Sequence, residues 1–179
     1  MFVKHIIVDI ETDGPCPGKG SILSLGACTL DESETWYKEF KPMAYVSCDW
    51  KTVAWLKEQG LDREELTKTG IPPREAMENF DNWLTFVAKG DRLRFVADNA
   101  GFDWMFVCYY LHHFVGSCQF GFSPLSLTSL YTGITGDMRR ANEYKKKYRT
   151  VEHSHNALDD ARGNAGALRT LASKGLITL

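Results

Sequence analysis

Two apolar segments near the start of the chain constrain its fold more than any other feature. Phe2–Ile10 and Ser21–Leu30 are rich in β-branched residues and are apolar at nearly every position. This composition is typical of strands that are covered on both faces of a sheet. Thr35–Phe40 predicts a third strand after them. We therefore expect an α/β fold built around a largely buried sheet.

Apolar residues at helical spacing follow these strands. The pattern predicts helices at Trp50–Gln59, Pro72–Lys89, Phe102–Val115 and Ala157–Ser173, and a short buried strand at Leu93–Ala97. The segment from Gly116 to Ser154 is less regular. There we expect a strand near Gln119–Phe122, a helix over Leu127–Thr132 and then a basic segment. No internal repeat or linker divides the chain, so a single domain over residues 1–179 is predicted.

Charge and cysteine content limit the classes of function. The chain has 21 basic and 23 acidic residues, so any phosphate binding must be local and cannot rest on bulk charge. Its five cysteines contain no C-x-x-C pair, which favours reduced thiols in a cytosolic compartment. The residues before Asp9 are too few for a signal-peptide core, and Phe102–Val115 is too short to cross a bilayer. We expect a cytoplasmic protein without a membrane partner.

Asp9 and Glu11 stand two residues apart at the end of the first predicted strand. Period-two geometry points both side chains to the same face of the sheet. Two carboxylates so close together raise each other's pKa, so a divalent cation is their natural neutralising partner. Asp62 and Glu64 have the same spacing, but no buried strand presents them. We interpret that second pair as the solvated start of a helix or turn.

Two further carboxylates lie at helix starts. Asp103 follows a buried strand and a glycine-containing turn, a position where an aspartate is also common as a simple cap. In the last helix, Asp159 and Asp160 point about 100° apart, so only one can face a shared site. Asp160 lies beside Ala157 and Ala161 on the apolar stripe. The pattern therefore predicts that Asp160 faces inward, where it needs a cation or hydrogen-bond partners.

His155 precedes the last helix and is the candidate general base. If the helix began before it, the five residues to Asp160 would turn through about 500° and separate the two side chains. We therefore expect His155 on the loop that enters the helix. A lone histidine is as often an ordinary loop residue, and His153 competes for the same role.

A basic run occupies Arg139–Arg149, with six basic residues and two tyrosines. In an otherwise acidic chain it is the best candidate for contact with backbone phosphates, with Arg139 and Lys146 as representative contacts. A solvated surface is the alternative interpretation of such a run.

Three segments together resemble the exonuclease motifs of the DEDDh family, within the ribonuclease H-like superfamily. They are Asp9-Ile-Glu11-Thr12, Asn99-Ala-Gly-Phe-Asp103 and His155-Asn-Ala-Leu-Asp-Asp160-Ala. They occur in the family's order and span nearly the whole chain. The family includes RNase T, oligoribonuclease and the proofreading subunits of bacterial replicases. One departure is Asp98, where relatives often carry histidine.

The resemblance implies a mixed five-stranded sheet flanked by helices, with the second strand antiparallel. It implies a metal-dependent 3′–5′ exonuclease that releases nucleoside 5′-monophosphates from the 3′ end of single-stranded DNA or RNA. Two divalent cations, Mg²⁺ or Mn²⁺, are expected, and some members of the family are homodimers. The resemblance also implies that His155 is the general base and that four carboxylates hold the ions. These are Asp9, Glu11, Asp103 and Asp160.

The expected substrate contacts are less specific. Glu11 and Thr12 are expected to touch the terminal sugar. Asn99, in the second motif, is also an expected substrate contact. Phe102 and Trp104 have the chemistry to stack on bases, although helix aromatics more often belong to a core. Two other functions are alternatives. One is a non-catalytic ribonuclease H-like module that binds nucleic acid or a polymerase, and the other is a metal phosphoesterase that uses His153 and His155 together.

Overall fold

A computed structural model describes residues 3–179, so Phe2 of the first predicted strand lies outside the described residues. One five-stranded sheet has the order β3-β2-β1-β4-β5. Its strands are β1 Val3–Thr12, β2 Ile22–Thr29, β3 Thr35–Glu39, β4 Arg92–Ala97 and β5 Leu125–Ser126. β2 is antiparallel to both β1 and β3, whereas β4 is parallel to β1 and to β5. The predicted ribonuclease H-like mixed sheet is confirmed.

Seven α-helices within residues 3–179 flank the sheet. They are α1 Trp50–Glu58, α2 Arg63–Thr69, α3 Pro73–Ala88, α4 Ala100–Tyr110, α5 Leu127–Thr135, α6 Glu143–Tyr148 and α7 Ala157–Ser173. A π-helical turn, Leu111–Val115, continues α4. Asp62 caps α2, because its side chain accepts from the backbone N–H of Glu64. The interpretation of this second acidic pair as a helix start is confirmed. Among residues 3–179, no helix is long and apolar enough to cross a membrane.

The central strand β1 separates two hydrophobic cores. Ile6, Val8 and Ile10 point into the larger core, which contains side chains of α3 and α4. Ile7 points to the opposite face, into the core that α7 covers. Since side chains alternate along a strand, Asp9 and Glu11 continue the Ile7 face. The alternation therefore directs both carboxylates towards α7.

The predicted strand at Gln119–Phe122 is wrong, because the structure has a turn there. Gly121 has a φ of 73°, a left-handed conformation outside regular strand geometry. Phe120 and Phe122 would share one face of a strand, but Phe120 is buried and Phe122 is 95% exposed. The fifth strand is instead the two-residue β5, which pairs with the end of β4. A segment this short carries no periodic signal of its own.

Candidate active site

The end of β1 brings its two acidic side chains to the start of α7. Ligand oxygens of Asp9, Glu11 and Asp160 lie within 4.8 Å of one another. The register between β1 and β2 shifts directly after Glu11, where Glu11 pairs with Ser24 and Thr12 with Ile22. Such a bulge ends regular pairing and re-aims the side chains beside it. The structure therefore brings these three predicted carboxylates together.

A glycine in β2 allows α7 to approach the sheet so closely. Gly26 pairs with Asp9 across the β1–β2 ladder. A Cβ atom on Gly26 would lie 2.2 Å from the backbone nitrogen of Leu158 and 2.3 Å from the carbonyl carbon of Ala157. Asn156 caps the helix here, since its side chain accepts from the first N–H groups of α7. The first turn of α7 therefore rests directly on β2, beside Asp9.

Asp160 is fully buried and surrounded by donors. Its Oδ1 accepts from Nη2 of Arg149 at 2.7 Å and from the Ser154 N–H at 3.3 Å. Its Oδ2 accepts from the His155 N–H at 3.0 Å and lies 3.2 Å from Nδ1 of His153. Asp159, by contrast, is half-buried. The prediction that Asp160 faces inward is confirmed, although a buried arginine and a loop supply its partners.

Asp103 lies in the first turn of α4 and is 6% exposed. Among residues 3–179 two groups of side chains could hold a metal ion, namely Asp9, Glu11 and Asp160 together and His153, His155 and Asp160 together. Asp103 is outside both. Its charge nevertheless reaches the first group, because it contributes to raising the pKa of Asp9.

Burial and mutual repulsion raise the pKa values of these acids. Burial, and then the charges of Asp103, Asp160 and Glu11, raise the pKa of Asp9 well above its ordinary value. Burial followed by the charges of Asp160 and Asp103 raises the pKa of Glu11 to about 8. The pKa of Asp103 rises to about 7, mainly through burial. The positive charge of Arg149 opposes the rise at Asp9 but does not cancel it, so these acids lack sufficient countercharge.

The donor set fits divalent cations. Carboxylate oxygens are the ligands that Mg²⁺ and Mn²⁺ prefer, and the raised pKa values show where positive charge would be most stabilising. Asp9, Glu11 and Asp160 have the spacing to share an ion. Asp103 stands close enough to add to the negative field at Asp9.

His155 is on the loop that enters α7, as the sequence predicts. Its φ of 58° is left-handed, which is uncommon for a residue with a side chain. Its Nδ1 lies 3.7 Å from Oε1 of Glu11. The imidazole lies between two rings. Its centroid is 4.5 Å from the ring centroid of Trp55 in α1, in an edge-to-face arrangement, and 4.3 Å from that of His153. His155 is therefore beside the carboxylates and partly shielded from solvent.

The predicted substrate contacts lie at different depths. Thr12 is buried, and its Oγ1 donates to the Gly14 carbonyl at 2.9 Å, which leaves that hydroxyl engaged inside the turn. Asn99 is exposed at the start of α4 and makes no side-chain capping bond. Phe102 is half-buried against Phe106. Trp104 packs on the core aromatics, so its interpretation as a core residue holds.

The basic run forms a 3₁₀ turn and helix α6, and most of its charges are paired. Arg139 pairs with Asp137 at 2.9 Å and is 90% exposed. Arg140 and Lys147 both pair with Glu143. The run has one basic residue, Lys146, for which the described residues offer no carboxylate within 4 Å; it lies on the surface next to the loop that carries His153.

Asp98, the departure from the family pattern, holds α6 in place. Its carboxylate accepts from the hydroxyls of Tyr144 and Thr128 and pairs with Lys145. Burial raises its pKa, but the hydrogen bonds from Lys145 and Tyr144 outweigh burial, so the net shift is downward. The extra negative charge is thus neutralised locally and anchors the basic segment to the turn before α4.

Three residues of the site are not predicted from the sequence. Gly26 had a detectable signal, since a lone glycine inside an apolar strand indicates close backbone approach. Arg149 was included in the basic run, but it binds Asp160. Trp55 was assigned to a helix by its apolar spacing, and nothing in one sequence indicates that its ring meets His155.

Comparison with known proteins identifies the family. The model of the Rv2179c-like 3′–5′ exoribonuclease domain matches residues 4–172. The chain belongs to this family. It is a 3′–5′ exonuclease, and this membership argues against the alternative of a non-catalytic module. A curated relative, the 3′–5′ DNA exonuclease Cap18 of Escherichia coli, is 36% identical over 177 residues, which cover 93% of this chain and 90% of Cap18.

Solved structures agree with the family's fold. The nuclease domain of 3′hExo, a DEDDh family member bound to rAMP, has a TM-score of 0.73 at 11% identity, covering 97% of this chain and 93% of that one. E. coli ExoI in complex with single-stranded DNA also has a TM-score of 0.73, at 14% identity, covering 97% of this chain and 41% of that one. At these identities the likeness concerns the fold, which is that of DEDDh exonucleases.

Proposed function

We propose that this exonuclease removes nucleoside 5′-monophosphates from the 3′ end of single-stranded nucleic acid by hydrolysis that depends on two divalent cations, Mg²⁺ or Mn²⁺. The observation that carries the proposal is the meeting of Asp9, Glu11 and Asp160 within 4.8 Å, with His155 beside Glu11. Such a group of partly to fully buried carboxylates with too little positive charge nearby, next to an imidazole, suits attack by water on a phosphodiester.

Each residue has a distinct role in this proposal. Asp9, Glu11, Asp103 and Asp160 hold the cations. When bound, the cations polarise the phosphate and lower the pKa of a bound water. His155 accepts a proton from that water on its imidazole, which the edge of Trp55 holds towards Glu11. Arg149 donates to Asp160 at 2.7 Å and so fixes the orientation of its carboxylate at the site.

Substrate contacts are proposed along the surface that leads to the site. The backbone at Glu11 and Thr12 contacts the terminal sugar, and the exposed Asn99 and half-buried Phe102 contact the last nucleotides. Arg139 and Lys146 contact backbone phosphates further along the strand, because both are exposed cations. ExoI binds single-stranded DNA, which supports a single-stranded substrate. The family is described as an exoribonuclease domain and Cap18 is a DNA exonuclease, so RNA and DNA are both proposed substrates. A cytoplasmic location and a homodimer stay predictions.

Digestion of matched oligonucleotides tests the proposal. Single-stranded DNA and RNA of one sequence, each labelled at the 5′ end, should shorten one nucleotide at a time with Mg²⁺ or Mn²⁺ and should be stable with EDTA. Asp9→Asn and Asp160→Asn should abolish the reaction, because both remove a cation ligand. Asp159→Asn is the matched control, since Asp159 is the half-buried neighbour in the same helix. Full activity in Asp160→Asn would contradict the proposal.

His155→Ala tests the proposed base. Loss of a general base typically costs about 10²–10⁴ in rate, so kcat should fall by that factor. His112→Ala is the control, because His112 is exposed on the π-helical turn that follows α4. A loss below tenfold in His155→Ala would reject the role.

A further inference from the structure

We propose that the loop before α7 holds a second metal site, specific for a borderline transition metal such as Zn²⁺, formed by His153, His155 and Asp160. One ligand atom from each of these residues lies within 4.8 Å of the other two. The site shares Asp160 with the carboxylate group but adds two imidazoles in place of Asp9 and Glu11. It is therefore a different site with different metal preference.

The spacing of the ligand atoms suits a tetrahedral ion. Zinc binds imidazole nitrogen and carboxylate oxygen at about 2.0–2.2 Å, which puts neighbouring ligand atoms of a tetrahedron about 3.3–3.5 Å apart. Nδ1 of His153 already lies 3.2 Å from Oδ2 of Asp160. The ligand atom of His155 lies within 4.8 Å of the other two, so a shift of its ring by an ångström or so, roughly, would bring it to tetrahedral spacing.

Hydrogen bonds fix the orientation of the Asp160 carboxylate in this site. Arg149 and the Ser154 N–H bind its Oδ1, so that Oδ2 is the oxygen turned towards the two histidines. The histidine side chains are 44% and 29% exposed, which gives an ion access from solvent and leaves a fourth position for water. Three protein ligands with a fourth position for water are typical of zinc sites that are not closed structural sites.

The ligand chemistry separates this site from the proposed catalytic one. Imidazole nitrogen favours Zn²⁺ over Mg²⁺, whereas an all-oxygen group favours Mg²⁺ or Mn²⁺. Zinc at this site would occupy His155 and Asp160 together. If the proposed function holds, bound zinc makes both the general base His155 and the cation ligand Asp160 unavailable for catalysis. Zinc therefore inhibits hydrolysis. The inhibition therefore rests on the proposed function, but the binding of zinc does not.

Zinc titration calorimetry on the metal-free chain of 179 residues tests the binding. His153→Gln should weaken zinc affinity at least tenfold, because His153 belongs to this site and not to the carboxylate group. Glutamine keeps an N–H donor for Asp160, which protects the fold of the loop. His112→Gln should bind zinc as the unmodified chain does. Co²⁺ as a second probe should give the intense visible absorption of a tetrahedral ion, and His153→Gln should lose it.

Zinc inhibition of Mn²⁺-supported digestion provides the second measurement, with each variant compared with its own zinc-free rate. The zinc concentration for half-inhibition should rise at least tenfold in His153→Gln and stay unchanged in His112→Gln. Equal affinity and equal inhibition in His153→Gln would overturn the proposal, since zinc would then occupy the carboxylates. Absence of turnover in the unmodified chain would contradict the proposed function, while the calorimetry and Co²⁺ spectra would still decide the zinc site.

Discussion

Arg149 donates to Oδ1 of Asp160 at 2.7 Å, and both side chains are at most 5% exposed. The guanidinium packs on Gly163 of α7, where a Cβ atom would lie 2.5 Å from Nη2 of Arg149. The last residue of the basic run therefore contributes its charge to the interior. Its charge opposes the raised pKa of Asp9.

Arg149→Met should destabilise the metal-free protein strongly. Removal of one partner of a buried ion pair leaves an uncompensated charge and costs about 3–5 kcal/mol in the free energy of unfolding. Mn²⁺ should restore part of this loss, because it supplies positive charge to the same carboxylates. Urea unfolding with EDTA and with Mn²⁺ measures both quantities. Arg139→Met is the control and should leave the free energy of unfolding nearly unchanged, since Arg139 is 90% exposed. Equal, small changes in the two variants would contradict the role of Arg149.

Gly26→Ala should displace the first turn of α7. The added methyl group would meet backbone atoms of Leu158 and Ala157 at 2.2–2.3 Å, which no side-chain rotation relieves. Overpacking of this kind costs about 1–3 kcal/mol, and we expect a fall in kcat as well because Asp160 moves with the helix. Thermal unfolding and the oligonucleotide assay measure the two effects.

Gly133→Ala is the matched control for Gly26. It lies within α5 and an added Cβ meets nothing within 4 Å, so stability should be unchanged or rise by about 1 kcal/mol. Unaltered stability and activity in Gly26→Ala would show that α7 does not depend on this contact.

Trp55→Ala should lower kcat by roughly 2- to 10-fold. An edge-to-face ring contact contributes about 0.5–1.5 kcal/mol, and here it holds the imidazole of His155. Trp55→Phe should restore most of the activity, because phenylalanine offers a similar ring. Trp50→Ala, a change of a 67% exposed tryptophan in the same helix, should have no effect on kcat. If Trp55→Ala raised KM and left kcat unchanged, Trp55 would be a substrate contact and not a positioning residue.

The metal-free protein should lose stability as the pH rises from about 5 to 8. In the folded chain the pKa of Glu11 is raised from 4.5 to about 8, so Glu11 holds its proton in a range where the unfolded chain has lost it. The folded state then binds more protons than the unfolded state, and the free energy of unfolding falls with increasing pH. Asp103, with its pKa raised to about 7, acts in the same direction.

Unfolding by urea in EDTA at pH 5.5 and pH 8 measures this loss. Glu11→Gln cannot release a proton, so the stability of the variant relative to the unmodified chain should increase with pH. A relative stability that is equal at both pH values would show that Glu11 does not titrate in this range. Mn²⁺ should raise the melting temperature of the unmodified chain more at pH 8 than at pH 5.5.

Much of the fold was accessible from local patterns. The strand and helix segments of the first hundred residues were predicted within a few residues, apart from α2. The inward orientation of Asp160 followed from helical periodicity alone, and the loop position of His155 from its separation along the chain. The turn at Gln119–Phe122 was mistaken for a strand because alternating aromatics imitate one, although Gly121 is left-handed.

Which side chains share a face follows from local sequence, because strand and helix periods are properties of neighbouring residues. These periods place Asp9 and Glu11 together and favour Asp160 over Asp159 as the inward carboxylate. The surroundings of these side chains depend on how the elements pack in the folded chain. Arg149 meets Asp160, and Trp55 meets His155, through contacts between elements distant along the chain. Such contacts depend on how closely helices pack on the sheet, and here that distance is set by the absent side chain of Gly26.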